Sequence, residues 1–213
     1  METRTGLRER KKQQTRQLIF ETASRLFAER GFDAVTVAEV ARAADVSEMT
    51  VFNYFPTKED LCFAGMEFFE ERLLEAVRGR AEGVSALAAF RRLVVDGCSR
   101  LAAEENAEVI AKAAALISRS PALQVREREI VARYTQRLAE LLAAETGARP
   151  GDVEPWGVAS ALMGAHRALV AYVRSSALAG RRGPKLAADA RLQARRAFAR
   201  LDSGLADYAI RSD

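Results

Sequence analysis

The sequence predicts an all-α protein, with an N-terminal three-helix domain followed by a larger helical domain and about nine helices in total. Three observations carry this prediction. Only 5 prolines and 13 glycines interrupt 213 residues rich in Ala, Leu, Glu and Arg, a composition that favours helix over sheet. Apolar residues recur at three-and-four spacing through most of the chain, the repeat of one helix face. The breaks between these stripes fall at Gly, Pro, Asp and Ser, as at Gly31-Phe32, Ser118–Pro121, Ala148–Asp152 and Ala179–Pro184, where turns and caps are expected.

The first element, Thr15–Arg30, carries Ile19, Ala23, Leu26 and Phe27 on one stripe. Gly31 fits a left-handed C-cap, with Phe32 as the apolar residue that folds back. Thr36-Val-Ala-Glu39 is a capping box, in which the Thr oxygen and the Glu carboxylate satisfy backbone donors reciprocally. Val37, Val40, Ala41 and Ala44 form the inner face of that helix. Asp45 takes the turn, where a left-handed backbone is tolerated by Asp, and Val46 plugs beneath it. Ser47 caps the next helix, in which Val51 and Phe55 face inward. Pro56 lies just past its end. Two short helices across a tight turn are the grammar of a helix-turn-helix, a unit that sets one helix into the DNA major groove. Glu48, Met49, Thr50, Phe52, Asn53 and Tyr54 are left for its outer face and sides. Met, Phe and Tyr are odd on a solvated face and sensible against base edges and sugars.

Thr57 opens a further helix with Asp60 at its N3 position, running from Lys58 to about Arg80. Lys58 is poorly placed for the helix dipole and well placed beside a phosphate. Further helices are expected at Ser85–Ala103, Asn106–Ile117, about Ala122–Glu145, about Val153–Leu178, and a last one carrying Leu186, Ala190, Ala194, Ala197, Phe198, Leu201, Leu205 and Tyr208. Residues 1–57 read as one domain and 58–213 as a second.

Charge and cysteine content bound the function. The net charge is +4, too modest to indicate nucleic acid by itself. Its distribution says more: Arg4, Arg8, Arg10, Lys11, Lys12 and Arg16 face only Glu2 and Glu9 in the first sixteen residues. Such an arm either lies along phosphates or is a solvated tail. Cys62 and Cys98 have no metal-type spacing and read as reduced thiols of a cytoplasmic protein. The charged N-terminus lacks the apolar core of a signal peptide. The longest apolar run, Trp156 to Val173, holds His166 and Arg167 at its centre and reads as a buried or interface helix rather than a membrane span. One histidine, no Glu-x-x-His motif and no Gly-rich phosphate loop argue against an enzyme, and no cofactor or metal is expected.

The stretch Thr15–Leu61 resembles the DNA-binding domain of the tetracycline-repressor (TetR) family of bacterial transcriptional regulators. The matching elements are Ala23-x-x-Leu26-Phe27-Ala28-Glu29-Arg30-Gly31-Phe32, Thr36-Val37, Val40-Ala41-x-x-Ala44-x-Val46-Ser47, Thr50-Val51-Phe52 and Tyr54-Phe55-Pro56-x-Lys58. The resemblance implies that Thr36 meets a phosphate, that Glu48, Met49, Thr50 and Asn53 face the groove from the helix capped by Ser47, and that Tyr54 and Lys58 hold the backbone. Three positions depart from the pattern. Phe52 replaces a common Tyr and lacks its hydroxyl. Glu48 replaces a neutral or basic residue, and either accepts from a cytosine amino group or only stabilises the helix start. Met49 replaces a small residue and suits a thymine methyl. Asn53 suits adenine.

The resemblance also implies a homodimer on a pseudo-palindromic operator and a small-molecule effector that releases a repressor. An activator, a ligand-independent regulator and a helical protein-interaction adaptor are the alternatives. Gly157, Ala161, Gly164 and Ala168 lie near one face of the 153–178 helix, so that helix and the one at about 186–208 are expected to build the dimer bundle, with packing inside one monomer as the alternative. Effector candidates are Phe63, Met66, Cys98, Tyr134, Met163, His166 and Tyr172, with Trp156 beside them. Each also reads as ordinary core. His166 stands out because a polar ring within an apolar helix needs a partner.

Overall fold

The computed structural model describes residues 4–64, 66–205 and 208–210, without the side chains of residues 4–9 and 66–68. Among these residues there are ten α-helices and one 3-10 helix: α1 (Arg4–Arg30), α2 (Val37–Ala43), α3 (Glu48–Tyr54), α4 (Asp60–Phe63), α5 (Met66–Arg78), α6 (Ala86–Gly97), the 3-10 turn Cys98–Ala102, α7 (Glu104–Arg119), α8 (Pro121–Thr146), α9 (Glu154–Leu178) and α10 (Gly183–Leu205). The all-α expectation holds, with one helix more than the nine expected. The addition comes from the expected 58–80 helix, which is two segments, α4 and α5.

The expected Ser85–Ala103 helix ends at Gly97 and continues as the 3-10 turn, and two other boundaries moved for local reasons. Helix α1 begins at Arg4 rather than Thr15, so the described part of the basic arm is helical. Residues 7–14 are Leu, Arg, Glu, Lys and Gln, all good helix formers with no breaker. At the other end, α10 starts at Gly183 with Pro184 second. Pro is tolerated in a first turn, where its missing N–H has no helical partner to lose.

The chain divides into two compact units. One comprises residues 1–67 with 115–127, the other 68–114 with 128–213. In the first, Ile19, Ala23 and Phe27 of α1, Phe32 and Val35 of the following loop, Val40 of α2 and Val51 of α3 are at most 4% exposed. They make one small core, and the Phe27 and Phe32 rings meet at 5.2 Å between centroids. Gly31, at φ 83°, makes the left-handed turn that allows this fold-back, and its N–H donates to the Phe27 carbonyl at 2.9 Å. Residues 115–127 belong here through polar ties. Arg126 of α8 donates to Asp60 through Nε and Nη2 at 2.9 and 2.8 Å, and Ser120 Oγ donates to Asp33 at 3.1 Å.

The second unit packs α10 against α6, α9 and the 3-10 turn. Ala190, Ala194, Leu186 and Phe198 of α10 have no exposed surface. Phe198 meets Phe90 of α6 at 5.7 Å. Two buried ions hold this unit. Glu70 of α5 accepts from Arg133 and Arg137 of α8. Arg80, 2% exposed at its side chain, is bound to Glu145 at 2.7 Å and donates to the carbonyls of Val77, Val84 and Ala209. A buried charge persists only with partners at most of its donors, and Arg80 has four.

Candidate nucleic-acid interface

The interface candidate is built from α2, its turn and α3. Thr36 caps α2 in extended backbone and its oxygen accepts from the Glu39 N–H, while the Glu39 carboxylate accepts from the Thr36 N–H at 2.8 Å. The Thr36 hydroxyl also donates to Glu39, at 2.9 Å, and Arg30 of α1 pairs with the same carboxylate at 2.8 Å. The Thr36 N–H bond, then Arg30, hold the Glu39 carboxyl down at about pKa 2. The brace that fixes α2 on α1 is therefore a three-residue network. The Thr36 hydroxyl proton is engaged in it, so this hydroxyl can donate to a phosphate only by leaving Glu39.

The turn follows from Asp45, at φ 54°. This left-handed residue reverses the chain, and the Val46 N–H then closes onto the Ala41 carbonyl at 3.0 Å. Ser47 caps α3, its Oγ accepting from the Thr50 N–H at 3.1 Å and lying 2.8 Å from the Thr50 hydroxyl. Within α3 only Val51 is buried, and Phe55 closes the core just beyond it. Glu48, Met49, Phe52 and Asn53 are exposed, and Thr50 and Tyr54 half-buried. Met49 is 70% and Phe52 43% exposed. An apolar thioether and an aromatic ring thus stand in solvent beside a carboxylate and an amide, on a helix whose other side is locked in the core.

Lys58 lies in the turn before α4, its ammonium 4.1 Å from the centre of the Phe32 ring. The Thr57–Asp60 box forms as the spacing predicts, with the Thr57 N–H donating to Asp60 at 3.0 Å and its hydroxyl at 2.8 Å. Arg16 lies over Phe55, 5.1 Å from its ring centre. The exposed cations Lys11 and Lys12 of α1 and Arg42 of α2 accompany α3 in this unit. Arg42 was not among the residues singled out from sequence, because a lone Arg near a helix C-terminus reads as a dipole partner.

The effector candidates fall into separate environments. Phe63 is buried in the first unit. The side chain of Met66 lies outside the described residues. In the second unit His166 stacks on Phe69, with centroids 4.7 Å apart and planes 12° apart. Phe69 also meets Tyr134 at 6.3 Å, and Phe90 meets His166 edge-on at 6.4 Å. Burial holds the imidazole neutral, its pKa lowered to about 4, and its Nδ1 has no hydrogen-bond partner. Met163, one turn before it, is buried. Cys98 is buried with its thiol donating to the Val94 carbonyl at 3.4 Å, and burial raises its pKa. Tyr172 stands apart from the cluster, its hydroxyl accepting from Arg181 at 3.2 Å. Phe69 and Phe90 were missed from sequence. Each sat in an ordinary apolar stripe, and only the tertiary fold shows that both reach His166.

Comparison with known proteins agrees with this geometry. Residues 19–64 match the family model for bacterial regulatory proteins of the tetR family, and residues 84–197 match the model for the MftR C-terminal domain. The chain is 31% identical over 156 residues to the HTH-type transcriptional regulator TcmR of Streptomyces glaucescens, a match covering 67% of this chain and 65% of TcmR. The chain thus spans just under two thirds of that relative's length. Among solved structures, a TetR-family regulator from Mesorhizobium loti superposes with a TM-score of 0.56 at 20% identity, covering 95% of this chain and 98% of its own. FadR of Bacillus subtilis, solved in complex with stearoyl-CoA, has a TM-score of 0.53 at 21% identity, covering 85% and 97%. These structures share the fold. The capped helix pair, its exposed second helix and the two family matches lead to one conclusion: the chain belongs to the TetR family of bacterial regulatory proteins.

Proposed function

We propose that this protein is a sequence-specific, homodimeric repressor that binds a pseudo-palindromic operator through α3 and is released by a small-molecule effector. Residues 1–57 do the binding, and 58–213 dimerise and receive the signal. The protein works in the cytoplasm with its DNA. The observation that carries this reading is the asymmetry of α3: one side is fixed by Val51 and the Ser47 cap, while the other exposes Met49, Phe52 and Asn53. Asn53 reads adenine through paired hydrogen bonds and Met49 meets a thymine methyl. Lys58, Tyr54, Lys11, Lys12 and Arg42 hold phosphates, which fixes register without specifying sequence. Fluorescence anisotropy with the DNA upstream of the protein's own coding region tests this. Selective binding that weakens steeply with salt is expected. Equal affinity for a scrambled duplex would refute it.

The exposed face of α9 supports the dimer. Gly157 and Gly164 are exposed, and a side-chain carbon built on either meets nothing within 4 Å. Mid-helix glycine costs about 1 kcal/mol relative to Ala, and nothing in the protomer requires it. A second helix approaching closely does. Trp156 and Leu178 of α9 and Leu192 of α10 are 47–53% exposed and would be covered by the same partner. A monomeric mass in sedimentation at micromolar concentration would remove the dimer.

For the effector, the Phe69–His166–Tyr134 cluster is the better supported part of the candidate set. An imidazole nitrogen left without a partner is a directed polar contact within aromatic walls, the chemistry of a small-molecule site. An effector that inserts there displaces Phe69 and so shifts α5. It lowers operator affinity only by as much as it prefers the released state.

A further inference from the structure

The second unit carries a feature that neither operator binding nor the aromatic cluster uses. A half-open groove of about 810 Å³ lies between α5, α6 and α10. Ala76, Val84 and Ala88 contribute to an apolar floor, and five guanidinium groups line it. A second hollow, lined by Val95, Asp96, Ser99, Arg191 and Arg195, adjoins it through shared Val95, Asp96 and Arg195. None of the His166 cluster lines either hollow, and no residue of α9 does.

The charge account is one-sided. Arg80 is neutralised by Glu145, and Arg91 by Asp202 at 2.6 Å. Arg92 has Asp96 at 3.8 Å, both largely exposed, a pair of little strength. Among the described residues Asp96 is the one carboxylate that lines either hollow. Arg72 of α5 and Arg195 of α10 then remain to face the groove, and Arg191 of α10 faces the adjoining hollow. Arg191 and Arg195 are one helical turn apart on the flank of α10 next to α6. A concave wall of one charge sign concentrates counter-ions, and guanidinium groups match the planar geometry of carboxylate and phosphate oxygens. The volume suits a small organic molecule, and the apolar floor suits its hydrocarbon part.

We propose that this groove binds an amphiphilic anion, its apolar body on Ala76, Val84 and Ala88 and its carboxylate or phosphate head between Arg72 and Arg195. Such a ligand bridges α5 and α10, the first and last helices of this unit.

The test is calorimetric titration of the full chain with dodecyl phosphate below its micelle concentration, beside inorganic phosphate and dodecanol. Tight binding is expected for dodecyl phosphate alone, since only it satisfies both walls. The Arg72→Gln/Arg195→Gln double variant should lose roughly tenfold or more in affinity. Both residues are exposed, so its circular dichroism and operator affinity should match the wild type. Ala88→Phe, which fills the floor and leaves every charge in place, should weaken binding as well. Unchanged affinity in both variants, equal binding of inorganic phosphate, or no binding of dodecyl phosphate would each overturn the proposal. A negative result leaves the operator reading intact, because the DNA experiment needs no groove ligand.

Discussion

The two compact units are held together by different means. In the first, each turn is set by hydrogen bonds close in sequence: the Gly31 N–H to the Phe27 carbonyl, Thr36 with Glu39, Ser47 with Thr50, Thr57 with Asp60. In the second, the decisive contacts join residues far apart in the chain. Arg80 reaches Glu145 and Ala209, and Glu70 reaches Arg133 and Arg137. Phe69 stacks on His166 across nearly a hundred positions. On the proposed reading the first unit presents one rigid helix to a repeating polymer, and local caps hold that helix. The second is organised by long-range packing between helices far apart in the chain.

The largest effects should come from breaking each unit at its own kind of anchor. Phe27→Ala removes a ring that is 2% exposed from the small core, at about 3–5 kcal/mol. Thermal unfolding should show the first unit lost at lower temperature, and operator binding lost with it. Arg80→Met takes the donor from Glu145 and from three carbonyls, one of them buried, at roughly 1–3 kcal/mol. Here the second unit should melt early. If either substitution lowered both units equally, they would be one cooperative body and the comparison would fail.

His166 sharpens the comparison at the next scale. Its pKa is about 4 in the folded chain against about 6.5 unfolded, because burial disfavours the cation. The unfolded chain therefore binds a proton that the folded one refuses between these values. The neutral ring's contribution is fully present above pH 6.5 and is lost as pH falls through 6.5 toward 4, by about 3 kcal/mol in total. Denaturant midpoints of the wild type and His166→Phe should diverge over that window and run parallel above it. Identical pH profiles would place the imidazole in water rather than in the aromatic cluster.

A smaller effect is expected at a cap. Ser47→Ala removes the acceptor for the Thr50 N–H, at about 1 kcal/mol. Amide exchange should speed up in the first turn of α3 and not in α9. Uniform acceleration throughout the chain would show that the cap is not a local device.

This difference also explains what was legible in the sequence. The Thr36–Glu39 and Thr57–Asp60 boxes, the Asp45 turn, the Ser47 cap and the inward Val51 and Phe55 were all readable, because partners within four residues leave a spacing in the chain. The engagement of the Thr36 hydroxyl with Glu39, reinforced by Arg30 from α1, was not, since a cap motif does not show which acceptor also holds a long-range ion pair. The second unit yielded its helices but not the side chains that meet inside it. Phe69 and Phe90 are indistinguishable from core until α5, α6 and α9 are packed, and the Arg181 partner of the Tyr172 hydroxyl leaves no spacing that marks it. The arginine groove left no motif either. Arg72, Arg92 and Arg195 sit on separate helices, and only packing makes them neighbours.

The central claim is that the exposed side of α3 reads the operator. The most direct measurement is selection of binding sites from a random duplex library by the wild type and by Asn53→Ala. The wild type should return a two-fold symmetric consensus. Asn53→Ala should keep its half-site spacing while relaxing preference at one adenine position in each half, by about 1–3 kcal/mol. An unchanged consensus from Asn53→Ala, or no consensus from the wild type, would contradict the account.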